Sequence, residues 1–229
     1  MKAEYFVGVD LGQSRDYTAL AVVERVEMAG DWDAATFTHR IEAALRLRYT
    51  ERVPLGTSYP EVVKRVGRVM RSGALAAGTR HLVVDATGVG RPVVDLLRQE
   101  IRAQASGEWV GGIPVMAGWC RLWPVVITGG DAEGTGGGCY YVPKRDLVVG
   151  LQVLMQQGGL QIASGLREGA ALVREMAEVR VRTTGGGREQ YGVWKDGEHD
   201  DLVLALGLAC WAVKKTRPAG GTGFRGRLV

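Results

Sequence analysis

Between Leu202 and Val213 the chain is apolar for 12 residues, broken only by Gly207. A bilayer crossing takes about 20 such residues, so a helix from Asp200 to Lys215 is expected here, buried in protein on nearly every side. Such a helix needs other layers to cover it. A chain of 229 residues, 46% hydrophobic and 24% charged, can supply them in one well-buried domain or two small ones. Disorder, collagen and coiled coil are excluded by the same composition, and the 34 glycines, about twice ordinary usage, imply many tight turns. Cys120, Cys139 and Cys210 lack any CxxC spacing and only His39, His81 and His199 could join them. That excludes a disulfide framework and structural zinc and fits a reducing compartment. The start, MKAEYFVGVD, has no signal-peptide character.

The order of elements predicts the rest of the layers. Tyr5–Val9 and Thr18–Val23 read as a hairpin around DLGQSRD, with Thr36–Tyr49 as a third extended segment. Ser58 and Glu61 form a capping box, opening a helix of about 59–77 with Val62, Val66, Val69 and Met70 on one face. HLVVD, 81–85, is apolar enough for a strand covered on both faces. Val93, Val94, Leu97 and Ile101 then mark a helix, and Val125–Thr128 a central strand before a loop from Gly129 to Gly138. Pro143 opens a helix carrying Leu147, Leu151 and Leu154, stopped by Gly158-Gly159. Leu160–Ala163 follows as a short strand, and Leu166, Val173 and Met176 as a helix. Val179–Trp194 alternates around a GGG turn as a hairpin before the last helix. Antiparallel strands first and crossover units next predict an α/β fold, a mixed sheet with helices on both faces.

Charge is localised. Net charge is +4, but Lys214–Val229 holds five Lys or Arg and no acid, so the chain without this tail falls to −1. The domain is therefore placed at 1–213, with 214–229 as a flexible basic tail. Nine Lys or Arg also lie between Arg40 and Arg80, against Glu42, Glu51 and Glu61. Localised positive charge points to a polyanionic partner, or simply to solvated faces.

Three acidic positions sit where a carboxylate is costly: Asp10 and Asp85 each end an apolar strand, and Asp200-Asp201 open the buried helix. Singly, each has a plain structural use: an Asx turn for Asp10, a strand cap for Asp85, a helix N-cap for Asp200. Together they can converge, because the strands carrying Asp10 and Asp85 are natural neighbours in this topology. Crowded carboxylates are stabilised by hard divalent cations, Mg²⁺ or Mn²⁺ rather than zinc. A pair of such ions about 4 Å apart is the apparatus of phosphodiester hydrolysis.

Five segments in order, VGVDLGQSRDYTALAVVE, HLVVDATGVGRPVVDLL, VVITGG, VPKRDLVVGLQVLMQQGGLQI and GEHDDLVLALGLACWA, resemble the nuclease domain of phage large terminase subunits over nearly the whole chain. The resemblance implies an RNase H-like fold, related to RuvC-type resolvases. It also implies a two-metal endonuclease that cuts concatemeric viral DNA in the cytoplasm of the infected host. Implied partners are double-stranded DNA, the terminase ATPase motor, the small terminase and the portal. Matched by position, Asp10 and Asp85 are metal ligands, and Asp200 and Asp201 form the acidic pair of the last helix, with either one able to bridge the metals. His199 could orient a ligand or contact phosphate, and Lys144, with Arg145, could meet the DNA backbone. Lys214 and Lys215 open the basic tail as further DNA contacts. The Val179–Trp194 hairpin would lie beside the active site and could gate the approach of DNA. No GxxxxGK[ST] phosphate loop occurs, so neither a nucleotide cofactor nor the motor is expected in this chain. VGVDLGQS also resembles the first phosphate loop of the actin and sugar-kinase superfamily. A Holliday-junction resolvase of the same fold and a DNA-binding module that does not cleave are also compatible with these residues.

Overall fold

Side-chain alternation explains how one sheet comes to carry two cores. The structure is a computed structural model and describes residues 3–12, 16–76, 78–88, 90–105, 120–183, 189–192 and 199–216. The sheet comprises β1 (Glu4–Asp10), β2 (Thr18–Asp33), β3 (Thr38–Val53), β4 (Thr79–Asp85), β5 (Cys120–Thr128), β6 (Gly134–Gly136), β7 (Cys139–Pro143) and β8 (Leu160–Ile162). Its eight strands are ordered β6-β7-β5-β4-β1-β2-β3-β8. β1, β2 and β3 are antiparallel neighbours, whereas β1, β4, β5 and β7 pair in parallel. This is the mixed, RNase H-like sheet expected from the sequence. The helices are α1 (Tyr59–Met70), α2 (Gly73–Ala76), α3 (Gly90–Ala105), α4 (Lys144–Gln156), α5 (Gly169–Glu178) and α6 (Asp201–Lys215). A separate ribbon pairs β9 (Arg180–Thr183) with β10 (Glu189–Gly192).

Tyr5, Val7 and Val9 of β1 and Leu82 and Val84 of β4 pack into the core shared with α1 and α3. Phe6 and Val83 face the other core, built with α4, α5 and α6. With a period of two, Gly8 and Asp10 share the face of Phe6, and Asp85 shares that of Val83. β1 and β4 are parallel with Val9 opposite Val84. The next residues, Asp10 and Asp85, therefore end neighbouring strands at one level and on one face.

α6 fills that face. Every residue from Asp201 to Val213 is buried, and each of Leu202, Leu204, Leu206 and Leu208 contributes about 1.5–3 kcal/mol of apolar transfer. The helix lies on β1 backbone to backbone at Gly8, where an added Cβ would stand 1.9 Å from the Ala205 carbonyl oxygen. Its far end is tied down by a buried polar chain. Trp123 Nε1 donates to His81 Nδ1 at 3.1 Å, which leaves the ring proton on Nε2 to donate to Glu4 at 2.8 Å. Glu4 in turn pairs with Arg25, whose guanidinium bonds Thr216 Oγ1 at 3.0 Å, just past α6. Among the described residues no helix is long and apolar enough to cross a membrane.

Several sequence boundaries shift. The expected helix of 59–77 stops at Met70 and resumes as the single turn of α2, because the Arg71 and Ser72 amides close back onto the last turn of α1. Ser58 makes no side-chain cap bond, and Glu61 pairs with Lys64 instead. Ser58→Ala is accordingly expected to cost well under the roughly 1 kcal/mol of a working N-cap; urea unfolding measures it. β6 occupies part of the expected 129–138 loop, and Leu166 lies in a turn before α5 rather than in the helix. α6 runs through Lys214 and Lys215, two residues into the expected tail. Residues 217–229 lie outside the described residues, as does the turn of the Val179–Trp194 hairpin.

Candidate active site

The C-terminal ends of β1 and β4 and the N-terminus of α6 meet at one place. Asp85 Oδ1 accepts the Thr87 backbone N–H at 2.8 Å and the Thr87 hydroxyl at 2.5 Å. Thr87 Oγ1 in turn accepts the Ile127 N–H at 2.9 Å. This Asx turn fixes the Asp85 carboxyl at the strand end. Burial pushes Asp10 well above the usual carboxylate range, and the charges of Asp85, Asp200 and Asp201 add to the effect, while Lys144 opposes it. Asp85 is raised too, by burial, against the bonds from Thr87 and the charge of Lys144. Four carboxylates thus bear on one point, and a proton on Asp10 relieves their repulsion.

The acidic pair of α6 divides. Asp200 occupies the N-cap position yet makes no side-chain cap bond; its Oδ2 accepts Lys144 Nζ at 2.6 Å from the first residue of α4. Asp201 is buried and held by Arg52 of β3, Nε to Oδ2 at 3.0 Å and Nη2 to Oδ1 at 3.2 Å. Arg52 also pairs with Glu175 of α5. Glu175 belongs to no motif in the sequence, although its place three residues after Leu172 puts an acid on the buried face of its helix. One guanidinium faces two carboxylates here. Burial, then the charge of Asp201, outweigh the pull of Arg52 and push Glu175 up to about 8. Burial pulls Arg52 down, but the bond and charge of Asp201 and the charges of Glu175 and Glu168 together outweigh it and raise Arg52.

The other expected site residues separate into near and far. His199 meets the ring of Tyr17 edge-on at 5.2 Å, and Tyr17 in turn lies 5.2 Å from Arg52 Cζ, so His199 flanks the acidic cluster. Arg145 follows Lys144 on α4, with Asp146 and Asp131 as its partners. Lys214 and Lys215 stand at the opposite end of α6, about 20 Å from Asp201 at 1.5 Å per residue, and the structure does not bring them to the carboxylates. Lys215 pairs with Glu133 and lies over Trp211 beside a cavity of about 160 Å³ that Lys214 also lines. Much of the basic zone between Arg40 and Arg80 is consumed internally: Arg48 with Glu24, Arg65 with Glu51, Arg71 with Glu100, besides Arg52.

The donor set suits a hard cation: three to four carboxylates, no thiol, and an imidazole only at its margin. Among the described residues no three acids, histidines or cysteines are already gathered tightly enough to hold one ion. Lys144 places a positive point charge on a flexible stem against Asp200.

No protein-family model matches the chain, and comparison with curated proteins gives no match. Among solved structures, the fold is similar to that of the large terminase nuclease from thermophilic phage G20c: TM-score 0.54, 19% identity, over 90% of this chain and 81% of that one. The same nuclease with bound magnesium matches with TM-score 0.54 at 20% identity, over 91% and 81%. The large terminase nuclease domain of Thermus phage P74-26 matches with TM-score 0.54 at 17% identity, over 98% and 84%. The fold anticipated from the five ordered segments is the fold found.

Proposed function

We propose that this chain is a divalent-metal-dependent DNA endonuclease that cuts viral DNA during genome packaging. The observation that carries the reading is the placement of Asp10 and Asp85 at one level on adjacent parallel strands, with the acidic start of α6 brought against them. The solved nucleases that share the fold support it, one of them holding magnesium. Asp10, Asp85 and a member of the Asp200-Asp201 pair would hold two Mg²⁺ or Mn²⁺ ions, whose chemistry when bound is to activate water and stabilise the leaving oxygen.

The chain's own residues prepare that chemistry. Asp10, at the centre of the repulsion, would be the carboxylate whose charge a bound cation offsets most. Asp85 is kept in place by Thr87 whether or not the site is loaded. Lys144 leaves Asp200 and, with Arg145 and His199 beside it, becomes available to backbone phosphates. Such contacts carry no base information, so binding is sequence-independent and weakens steeply with salt. Zinc and nucleotide have no part in the reading. The motor, small terminase and portal would position the DNA, in the cytoplasm of the infected bacterium.

Supercoiled plasmid incubated with the protein in Mg²⁺, Mn²⁺ or EDTA tests this reading. Nicked and linear products are expected with either metal and none in EDTA. Equal cleavage in EDTA, or none with either metal on any duplex, would overturn it.

A further inference from the structure

Asp200 and Asp201 are neighbours in sequence but are held in unlike ways. Lys144 meets Asp200 at one point, in a pair whose side chains remain 29% and 21% exposed. Arg52 grips both oxygens of Asp201, whose side chain is only 5% exposed. A point-charge ammonium on a flexible stem leaves readily; a guanidinium fork set on two acceptors does not. Arg52 is itself immobilised, with Glu175 on one of its nitrogens and the Tyr17 ring across its face.

Glu175 has a second task. Its Oε2 accepts the Val203 N–H at 3.1 Å, in the first turn of α6. That amide is among those an Asp at the N-cap ordinarily captures. Because an acid from another helix has taken it, the Asp200 carboxylate is free to point at Lys144 and the strand ends.

We propose that Arg52 and Glu175 are positioning residues that assign different roles to the acidic pair: Glu175 caps α6 in place of Asp200, Arg52 withholds Asp201, and Asp200 alone is presented to the metal ions. The inference rests on the nuclease reading above and specifies how that site is built. Neither positioning residue touches the reacting atoms, and both act through the N-terminus of α6.

The test is Mn²⁺ binding followed by electron paramagnetic resonance on the full chain, alongside plasmid nicking. Asp200→Asn is expected to lose one bound ion, whereas Asp201→Asn keeps the ion count with affinity weakened less than about tenfold. Glu175→Ala should weaken Mn²⁺ affinity about 10- to 100-fold, the range of ligand-orienting partners, and Glu175→Gln, which still accepts the Val203 N–H, should restore most of it. Arg52→Lys, which keeps the charge but not the fork, should keep the ion count and the KM for DNA while kcat falls about 10- to 100-fold. Loss of an ion by Asp201→Asn to match Asp200→Asn overturns the assignment, as does parental Mn²⁺ affinity in Glu175→Ala or parental nicking by Arg52→Lys. If neither Asp10→Asn nor Asp200→Asn alters Mn²⁺ binding, the nuclease reading itself fails, and this inference with it.

Discussion

Asp10→Asn is expected to abolish cleavage and, without divalent metal, to make the protein more stable. The two effects have one cause. Asp10 is the carboxylate on which burial and the charges of Asp85, Asp200 and Asp201 all bear, so it is the worst place for a negative charge in the metal-free protein and the best place for a cation. Removing it should slow cleavage at least about a thousandfold, or about 4 kcal/mol of barrier, while relieving the repulsion. The stability gain is read as a rise in Tm, about 2–4 °C per kcal/mol for a domain of this size.

The pH dependence follows with a definite sign. A carboxyl whose folded pKa is raised binds more protons in the native than in the unfolded state across the window between its two pKa values, so stability falls as pH rises through it. For Asp10 and Asp85 that window opens near the ordinary 3.8. For Glu175 it runs from 4.5 to about 8. The metal-free chain should therefore lose stability from mildly acidic to neutral pH, and Mg²⁺ should restore it most at the upper end, since cations compete with protons for the same oxygens. Asp10→Asn should flatten the slope and blunt the Mg²⁺ response. A Tm for the variant below that of the parent in EDTA at neutral pH would count against the electrostatic reading of the site.

Gly8→Ala should damage fold and site together. The added Cβ would lie 1.9 Å from the Ala205 carbonyl oxygen and 3.0 Å from the Ala209 amide nitrogen, both main-chain atoms that no rotamer change can move. Overpacking usually costs about 1–3 kcal/mol, and a backbone-on-backbone clash belongs at or above the upper end. Any relief must lift α6 off β1. That movement carries Asp200 and Asp201 away from Asp10, so metal-dependent stabilisation should fall along with the urea midpoint. Ala205→Gly should not rescue the variant, because the clash is with the Ala205 carbonyl and not its methyl group. Parental stability in Gly8→Ala would show that α6 does not sit on β1 as described.

Which side chains of β1 and β4 share a face could be read from the sequence because alternation is local. Phe6, Gly8 and Asp10 share a face by counting in twos, as do Val83 and Asp85, and the apolar run 202–213 had to be a covered helix. Asp85, expected at most to cap its strand, forms the Asx turn anticipated for Asp10, and this is compatible with its place in the cluster, since Thr87 occupies one oxygen only. Net charge was a poorer guide. Lys214 and Lys215 belong to a basic tail by composition, yet α6 places them at the end of the molecule away from Asp10, and most of the arginines from Arg48 to Arg71 answer acids within the fold.

The sequence by itself therefore determined the first four strands, the two-faced covering and the carboxylates of β1, β4 and α6, because each is written in a periodicity of two or of 3.6 within one segment, whereas β6 and β7 lie in a glycine-rich stretch without such a period. Only the tertiary structure decided what each carboxylate meets. Residues 52, 175 and 201 come from a strand and two helices far apart in the chain, and 144 and 200 from two helices as distant. Which acid meets a lysine, and which an arginine, depends on distances of about 3 Å that exist only once α4, α5 and α6 have packed against the sheet.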